Sequence, residues 1–533
     1  MHSTTTDDLP VNELNDSPAE GSIPTQVKKD LLHGTSALGL SVIVERACSF
    51  LANILAARFG GASSFGVYAL ALSTASNVSA YAAGGIGSTA IRFSGEHPRG
   101  SSGYPALTRV LAVISTVSAL LAASVLWVGA TPISRLLHKE SLTGVLQWAA
   151  FSAAGIIMLE CCRGFLVGQR SIRALLLLSS LVGSGYLALL PAMSRFGPKQ
   201  MICSQGAVTM GSVMIILLLC RSLGLTSPAS VNQSQPMALL LRRVWGFGVV
   251  QLASLIGMNA AGWWLTTLVA RSDTTMVQMG YFAVAHQLRN IVALGPSLLN
   301  EGSLAVMAGS NGRVDKTPDN IMAICAYACT LASLVMAGVG MIIVPWGLTL
   351  LYGKNYTAAG AAVTIALATA VIHMGSAPMS ARLSIISIKT FGMINTTWAI
   401  FVAVLATATL LDGGNAAKGA GVYLAGHLFL ATLQIVTLKR RGCIPKGAIA
   451  SFSSGVIGSL VLVGLAWERE TNRQAAAWIS LAMIAVLMAT VFTMVVIGKQ
   501  RNWMPSRQSF QGLFSRALMM VKDRAGNLTG SKT

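Results

Sequence analysis

Two arginines, Arg46 and Arg289, lie inside long apolar stretches of this sequence and are the side chains best suited to chemistry there. An Arg at the centre of a membrane-spanning helix costs roughly 2.5–3.5 kcal/mol on insertion scales, so it needs a cavity or a partner. The guanidinium fork matches the oxygens of a phosphate. We therefore predict that both arginines bind an anionic group. The alternative is that Arg46 pairs with Glu45 or Glu160 and only holds helices together.

Each arginine shares a helix face with polar side chains. At helical spacing, Asn53 lies on the face of Arg46, and His286 lies on the face of Arg289. One polar stripe therefore comes from an early helix and the other from a helix in the middle of the chain. A cavity between two halves of the protein requires such an arrangement.

Further charged residues are candidates for gating or for coupling to an ion gradient. Arg58 and Arg271 end two helices at equivalent places, which is consistent with a gate and equally with shared packing. Glu160 and Glu301 are carboxylates at membrane depth that can bind a proton or a cation. For Glu160 the simpler alternative is an ion pair with Arg163, three residues later on the same helix. The candidates of this kind are Glu45, Arg58, Glu160, Arg163, Arg271 and Glu301.

Metal and nucleotide chemistry are not indicated. Cys325 and Cys329 share a helix face, but no His or second Cys pair accompanies them, so we predict no metal site. No Gly-Lys-Ser/Thr follows a glycine-rich stretch, so ATP hydrolysis is not expected. His373 is a single histidine in its span and is expected to pack. We predict no cofactor, and either a proton or a sodium gradient as the energy source.

The elements that position these residues are about fourteen apolar runs between Thr35 and Gly498, each near the roughly 20 residues that a membrane-spanning helix needs. Hydrophobic residues make up 53% of the chain, charged residues 11%, and the mean hydropathy is +0.64. The sequence therefore predicts an all-α, polytopic membrane helix bundle. The predicted spans are 35–57, 65–91, 106–128, 146–168, 172–194, 201–222, 243–270, 278–306, 320–345, 358–381, 390–411, 417–438, 448–467 and 475–498.

Basic residues are concentrated in every second connection between these spans. Of the 38 Lys and Arg residues, about 26 fall on the side of the two chain ends, about 10 on the other side and about 2 in mid-membrane. Cytoplasmic loops carry the excess of positive charge, so both termini are predicted to be cytoplasmic. The basic tail is expected to lie on anionic lipid as an amphipathic helix, and nucleic-acid binding is the weaker alternative.

Short segments recur about 213 residues apart, which indicates two related lobes. The sequence LAAR ends the first span at Arg58, and LVAR ends the seventh at Arg271; Gly66 and Gly280 open the spans that follow. Both copies begin after a basic pair on the same side, so the repeat is parallel. The predicted units are a disordered cytoplasmic tail 1–27, an N-lobe 28–223, a cytoplasmic linker 224–242, a C-lobe 243–440, two further helices 441–498 and a basic cytoplasmic tail 499–533.

The stretch 28–93 resembles the opening two helices of a known family. Its segments KKDLLHGTSALGLSVIVERACSFLANILAARFGGASSFGVYALALS and GGIGSTAIRF are similar to those of the polysaccharide-biosynthesis flippases, which move lipid-linked oligosaccharides. The superfamily of these flippases also holds the multidrug and toxin extruders and the lipid II flippases. The fourteen-helix plan and the parallel repeat extend the resemblance over most of the chain. After about residue 310 it rests on hydropathy alone.

The resemblance implies a flippase, and not an enzyme, in a bacterial inner membrane. Its substrate would be an anionic polyprenyl-pyrophosphate-linked oligosaccharide, moved from the cytoplasmic to the outer leaflet by alternating access of two lobes, for cell-surface or exopolysaccharide biosynthesis. Arg46, Arg289 and His286 would hold the phosphates. The amides that would bond to sugar hydroxyls are Asn53, Gln251, Asn259 and Gln287.

Other functions stay open at this point. A lipid II flippase and a cation-coupled multidrug antiporter of the same superfamily are the alternatives, although an antiporter pocket should contain unpaired carboxylates. An enzyme that joins lipid-linked glycans needs catalytic groups on outer loops, and these loops are short. The implied partners are the lipid-linked oligosaccharide, the lipid bilayer, and a polysaccharide polymerase and export proteins, but no nucleic acid.

Overall fold

A computed structural model confirms an all-α chain. It describes residues 25–222, 237–309 and 317–503, without the side chains of 25–38, 220–222, 237–239, 245–255 and a few further positions, and no strand occurs among these residues. The predicted tail 1–27, linker 224–242 and tail 499–533 lie largely outside them. The helices are α1 (Thr25–Ala83), α2 (Ile86–Glu96), α3 (Tyr104–Leu136), α4 (Thr143–Gly168), α5 (Ile172–Ser194), α6 (Pro198–Ser222), α7 (Met237–Ser272), α8 (Val277–Gly309), α9 (Thr317–Leu351), α10 (Gly360–Ile386), α11 (Ile388–Leu410), α12 (Ala416–Arg440), α13 (Lys446–Thr471) and α14 (Ala476–Gln500).

The surface of this bundle is that of a multi-pass membrane protein. In the described part of the chain, 10 helices are long and apolar enough to cross a membrane. Large apolar side chains stand exposed on the outside, among them Val128 and Trp478, each at 75%. An apolar surface of this extent is stable only against lipid.

Three glycines divide the first two predicted spans. Gly61 has a φ of 77° and bends α1, so that the first span precedes it and the second follows it. Gly84 and Gly85, with φ of 51° and 72°, end α1 and allow α2 to begin in a new direction. A residue with a Cβ rarely adopts these angles. The glycine sequence thus decides where α1 bends and where it ends.

The turn between α7 and α8 is fixed by a carboxylate, whereas the corresponding bend within α1 is made by a glycine. Asp273, at 6% exposure, accepts hydrogen bonds from the backbone N–H of Thr275 at 3.0 Å and of Gln278 at 2.6 Å. These are backbone donors at the start of a helix, which otherwise lack partners. Asp273 therefore fixes the residue at which α8 begins, and with it the rotation of the polar side chains on α8.

Helices α1 and α3–α6 pack together, and so do α7–α12. Contact between these two groups comes mainly from α1, which packs on α7 and α8. Helix α13 packs on α9 and α10, and α14 packs on α9 and α13. The boundaries of the predicted lobes stay predictions, but this packing places α1, α7 and α8 at the centre of the molecule.

Candidate functional site

A cavity of about 400 Å³ lies between α1 on one side and α7 and α8 on the other. Four predicted binding residues line it: Arg46 and Asn53 from α1, and His286 and Gln287 from α8. The structure thus brings together polar side chains that are more than 230 positions apart in the chain. We call this space the interlobe cavity.

Arg46 is free to act on a ligand because Glu45, its neighbour, has another partner. Arg163 donates from one guanidinium nitrogen to both carboxylate oxygens of Glu45, at 2.7 Å each, and from another to Glu160 at 2.8 Å. The pair of Glu160 and Arg163 therefore forms, while the alternative pair of Arg46 with Glu45 or Glu160 does not. Among the described residues Arg46 has no ion pair, and its side chain is exposed in the interlobe cavity.

The remaining cavity wall is polar and aromatic. Gln287 donates to the backbone oxygen of Phe50 at 3.0 Å, and Asn53 donates to that of Ser49 at 2.9 Å. Each amide keeps a second N–H, because an amide nitrogen carries two donors. Phe50 also contributes its ring to the wall, together with Phe65 and Tyr68. No Asp or Glu is found among the described residues that line this cavity.

Arg289 does not line the interlobe cavity but lies directly behind its wall. Its guanidinium stands over the ring of Tyr423, 4.7 Å from the centroid, and its Nη2 donates to Asn290 Oδ1 at 3.3 Å. Asn290 does line the cavity. The Nη1 atom of Arg289 is buried and has no hydrogen-bond partner. Arg289 is therefore linked to the cavity wall through its hydrogen bond to Asn290.

The other predicted residues are scattered. Asn259 lies on α7 outside the cavity lining, and Glu301 is exposed late on α8. The side chain of Gln251 lies outside the described residues. Sequence reasoning missed Thr266, although it stands 213 positions after Asn53 and both line the cavity. The period of the repeat, applied to Asn53, would have identified Thr266.

Arg58 and Arg271 both join the two halves of the molecule at one end. Arg58 donates to the backbone oxygen of Leu350 at 2.9 Å, and Arg271 lies 3.1 Å from Nε2 of His138. Lys139 contacts the backbone oxygen of Asp273. Burial lowers the pKa of the Lys139 ammonium, and the Asp273 carboxylate partly opposes this.

At the same end, two glycines that correspond in the repeat lie against the opposite helix. A Cβ on Gly66 would stand 2.1 Å from the backbone oxygen of Met276, and a Cβ on Gly280 would stand 2.1 Å from that of Ala62. Nearby, Ser63 Oγ donates to the backbone oxygen of Thr275 at 2.5 Å. The backbones of α1 and α8 touch only because both positions are glycine. We call these contacts, with those of Arg58 and Arg271, the interlobe seal.

No family model and no curated protein matches this sequence. Solved structures do match the fold. The lipid II flippase MurJ in an inward closed conformation aligns with a TM-score of 0.63 and 11% identity, over 87% of this chain and 98% of that one. An inward-facing multidrug resistance MATE family transporter of the MOP superfamily aligns with 0.58 and 12% identity, over 80% and 98%. An outward-facing transporter of the same family aligns with a TM-score of 0.53 and 13% identity, over 76% of this chain and 95% of that one.

These similarities show the fold of the chain. The chain has the fold of the MOP-type transporters, a membrane helix bundle whose solved examples include inward and outward states. Within that fold, a cavity lies at the centre, between the helices that join the two halves. The described chain thus combines this fold with a central cavity and with close contacts between its two halves at one end.

Proposed function

We propose that this protein is a flippase for an anionic lipid-linked saccharide. Its substrate is a polyprenyl-pyrophosphate-linked oligosaccharide, and alternating access of two lobes moves the polar head from the cytoplasmic to the outer leaflet. The product serves cell-surface or exopolysaccharide biosynthesis, so a polymerase and export proteins act after it. The protein lies in the bacterial inner membrane with both termini in the cytoplasm, as the basic loops predict.

One observation supports this proposal above the others. The interlobe cavity contains Arg46 without an ion pair, and no Asp or Glu is among its described lining residues. A cation that lines a cavity favours an anionic ligand, and a guanidinium binds phosphate oxygens in two parallel hydrogen bonds. The amides of Asn53 and Gln287 and the rings of Phe50 and Phe65 suit sugar hydroxyls and sugar faces.

The interlobe seal supports the direction of transport. The basic loops predict that the end with Arg58 and Arg271 faces outward. In this orientation the interlobe seal closes the outer end, and we propose that the substrate enters the cavity from the cytoplasm. This is the state that receives a substrate made in the cytoplasm.

A lipid II flippase is a second candidate, which the similarity to the MurJ fold favours. Lipid II also carries a polyprenyl pyrophosphate, so the same cationic cavity suits it. A multidrug antiporter is less well supported, because a cationic drug meets Arg46 and no cavity carboxylate in the described wall.

The proposal is tested in proteoliposomes with fluorescent head groups on three substrates: a polyprenyl-pyrophosphate oligosaccharide, lipid II and a cationic dye. We expect transfer of the first, with Arg46→Ala slowing it about tenfold or more, because a charge-assisted hydrogen bond contributes roughly 1.5–3 kcal/mol. Arg173→Ala is the matched control, since Arg173 is exposed on α5 and outside the cavity. Transfer of lipid II alone, or of the dye alone, would replace the proposed substrate class.

A further inference from the structure

Three histidines from three helices meet behind the interlobe cavity. The rings of His373 on α10 and His427 on α12 lie 4.6 Å apart, and His427 lies 5.0 Å from the ring of Tyr423. The ring of Tyr423 also lies 5.0 Å from that of His286 on α8. His373, expected to pack alone, has a second histidine against it. We call His286, His373 and His427 the histidine cluster.

The imidazole of His427 is not held by a hydrogen bond. His427 is only 3% exposed, yet both of its ring nitrogens lack a hydrogen-bond partner. Buried polar atoms without partners are uncommon and call for a physical reason. A ring nitrogen with no committed donor is able to accept a proton, and imidazole is the side chain whose charge changes most readily near neutral pH.

Arg289 is the charged group that acts on these rings. The titratable and charged groups that face His427 are His373 from α10, and His286 and Arg289 from α8. Arg289 also acts on His373 and on His286. Helix α11 contributes Trp398, which is uncharged, and no carboxylate faces the cluster in the described part of the chain. Burial of His427, at 3% exposure, disfavours a charged imidazole, and the cation of Arg289 disfavours it further.

The histidine cluster and the interlobe cavity share side chains. His286 belongs to both, because it lines the cavity and contacts Tyr423. Arg289 is bonded to Asn290, which lines the cavity. An anion in the cavity offsets the charge of Arg289 and so removes one of the two effects that oppose a proton on the cluster, while burial remains.

We propose that the histidine cluster is a proton site whose occupancy is linked to that of an anion in the interlobe cavity. The inference rests on the proposed function and specifies a proton as its coupling ion. Because linkage is reciprocal, a bound anion favours protonation and a bound proton raises the affinity for the anion by the same factor. The protein therefore takes up a proton together with its anionic substrate.

The test uses purified full-length protein in lipid nanodiscs with farnesyl pyrophosphate as the probe. Titration calorimetry in two buffers of different ionisation enthalpy gives the number of protons taken up on binding. On binding the probe, wild type should take up more protons than His373→Gln or His427→Gln does, by about one proton at most. The affinity of wild type for the probe should rise about fivefold or more from pH 7.5 to pH 5.5. The probe titrates too, but its own contribution is the same in every variant.

His97→Gln is the matched control, because His97 lies at the end of α2, outside both the cavity and the cluster, and it should behave as wild type. Equal proton uptake by wild type and both cluster variants, with binding intact, would overturn the proton site and leave the flippase standing. Absence of binding by wild type at every pH would overturn the flippase and the linkage together.

If a variant fails to fold, a second measurement on wild type alone tests the proposal. Infrared difference spectra of histidine-labelled protein, recorded at pH 6 with and without the probe, report protonated imidazole directly. A protonated-imidazole band on probe binding is the expected result. A spectrum without it refutes the proton site.

Discussion

Glu45 and Arg46 are neighbours in the chain, yet their side chains have different surroundings. Successive residues on a helix are rotated by about 100°, so one faces α4 and the other faces the interlobe cavity. Glu45 is held by Arg163, with side-chain exposures of 15% and 24%. Glu45 is therefore used in an ion pair between helices, whereas Arg46 lines the cavity without one among the described residues.

Arg163→Ala tests this division. It leaves Glu45 partly buried and without its cation, so we expect the free energy of unfolding to fall by about 2 kcal/mol. Thermal unfolding in detergent measures the change, and the double variant with Glu45→Gln should recover part of it. Arg46→Ala should unfold as wild type does, and a comparable loss there would show that Arg46 is structural.

At the scale of the helices, the crossing of α1 and α8 depends on residue size. Gly66 and Gly280 correspond in the repeat, and each lies against the backbone of the other helix. The chain changes direction before each of these glycines in a different way. Gly61 bends α1, whereas Asp273 caps the start of α8. The same packing is therefore reached from two different turn sequences.

Gly66→Ala and Gly280→Ala should open the interlobe seal, since either Cβ would stand 2.1 Å from a backbone oxygen. Cross-linking between Ser63→Cys and Thr275→Cys, whose positions adjoin in the seal, should fall severalfold in each alanine variant. Gly211→Ala on α6 is the control, because nothing lies within 4 Å of its Cβ. Unchanged cross-linking would show that the seal tolerates the methyl group.

At the scale of the whole molecule, α13 is bound to α9 by hydrogen bonds next to a proline of α9. Pro345 has no N–H, so the backbone oxygen of Met341, four residues earlier, lacks its helical donor. Arg469 of α13 donates to that oxygen at 3.0 Å and to that of Ile342 at 2.9 Å. Arg469 is buried at this contact between α13 and α9, with 6% exposure.

Arg469→Ala should therefore weaken the attachment of the last two helices by about 1.5–3 kcal/mol, the range for hydrogen bonds to a charged group. Limited proteolysis of the loop between α12 and α13 reports the loss as faster cleavage. Pro345→Ala restores an N–H for Met341, so the double variant should lose less than the sum of both single changes. Strict additivity would refute the link between Arg469 and Pro345.

The sequence by itself determined the membrane bundle, the positions of its spans and the types of side chain available in them. These follow from hydropathy and from the repeat, which are read locally or by comparing two segments. It also identified Arg46, Asn53, His286 and Gln287, which the structure places around one cavity.

Tertiary structure alone decided which side chains meet. Arg163, rather than Arg46, binds Glu45 across 118 positions of chain, Arg289 lies behind the cavity wall, and His373 faces His427. Such choices depend on the rotation of each helix about its axis and on the distance between helix axes. Both are set by packing among residues far apart in sequence, where small side chains and glycines permit close approach.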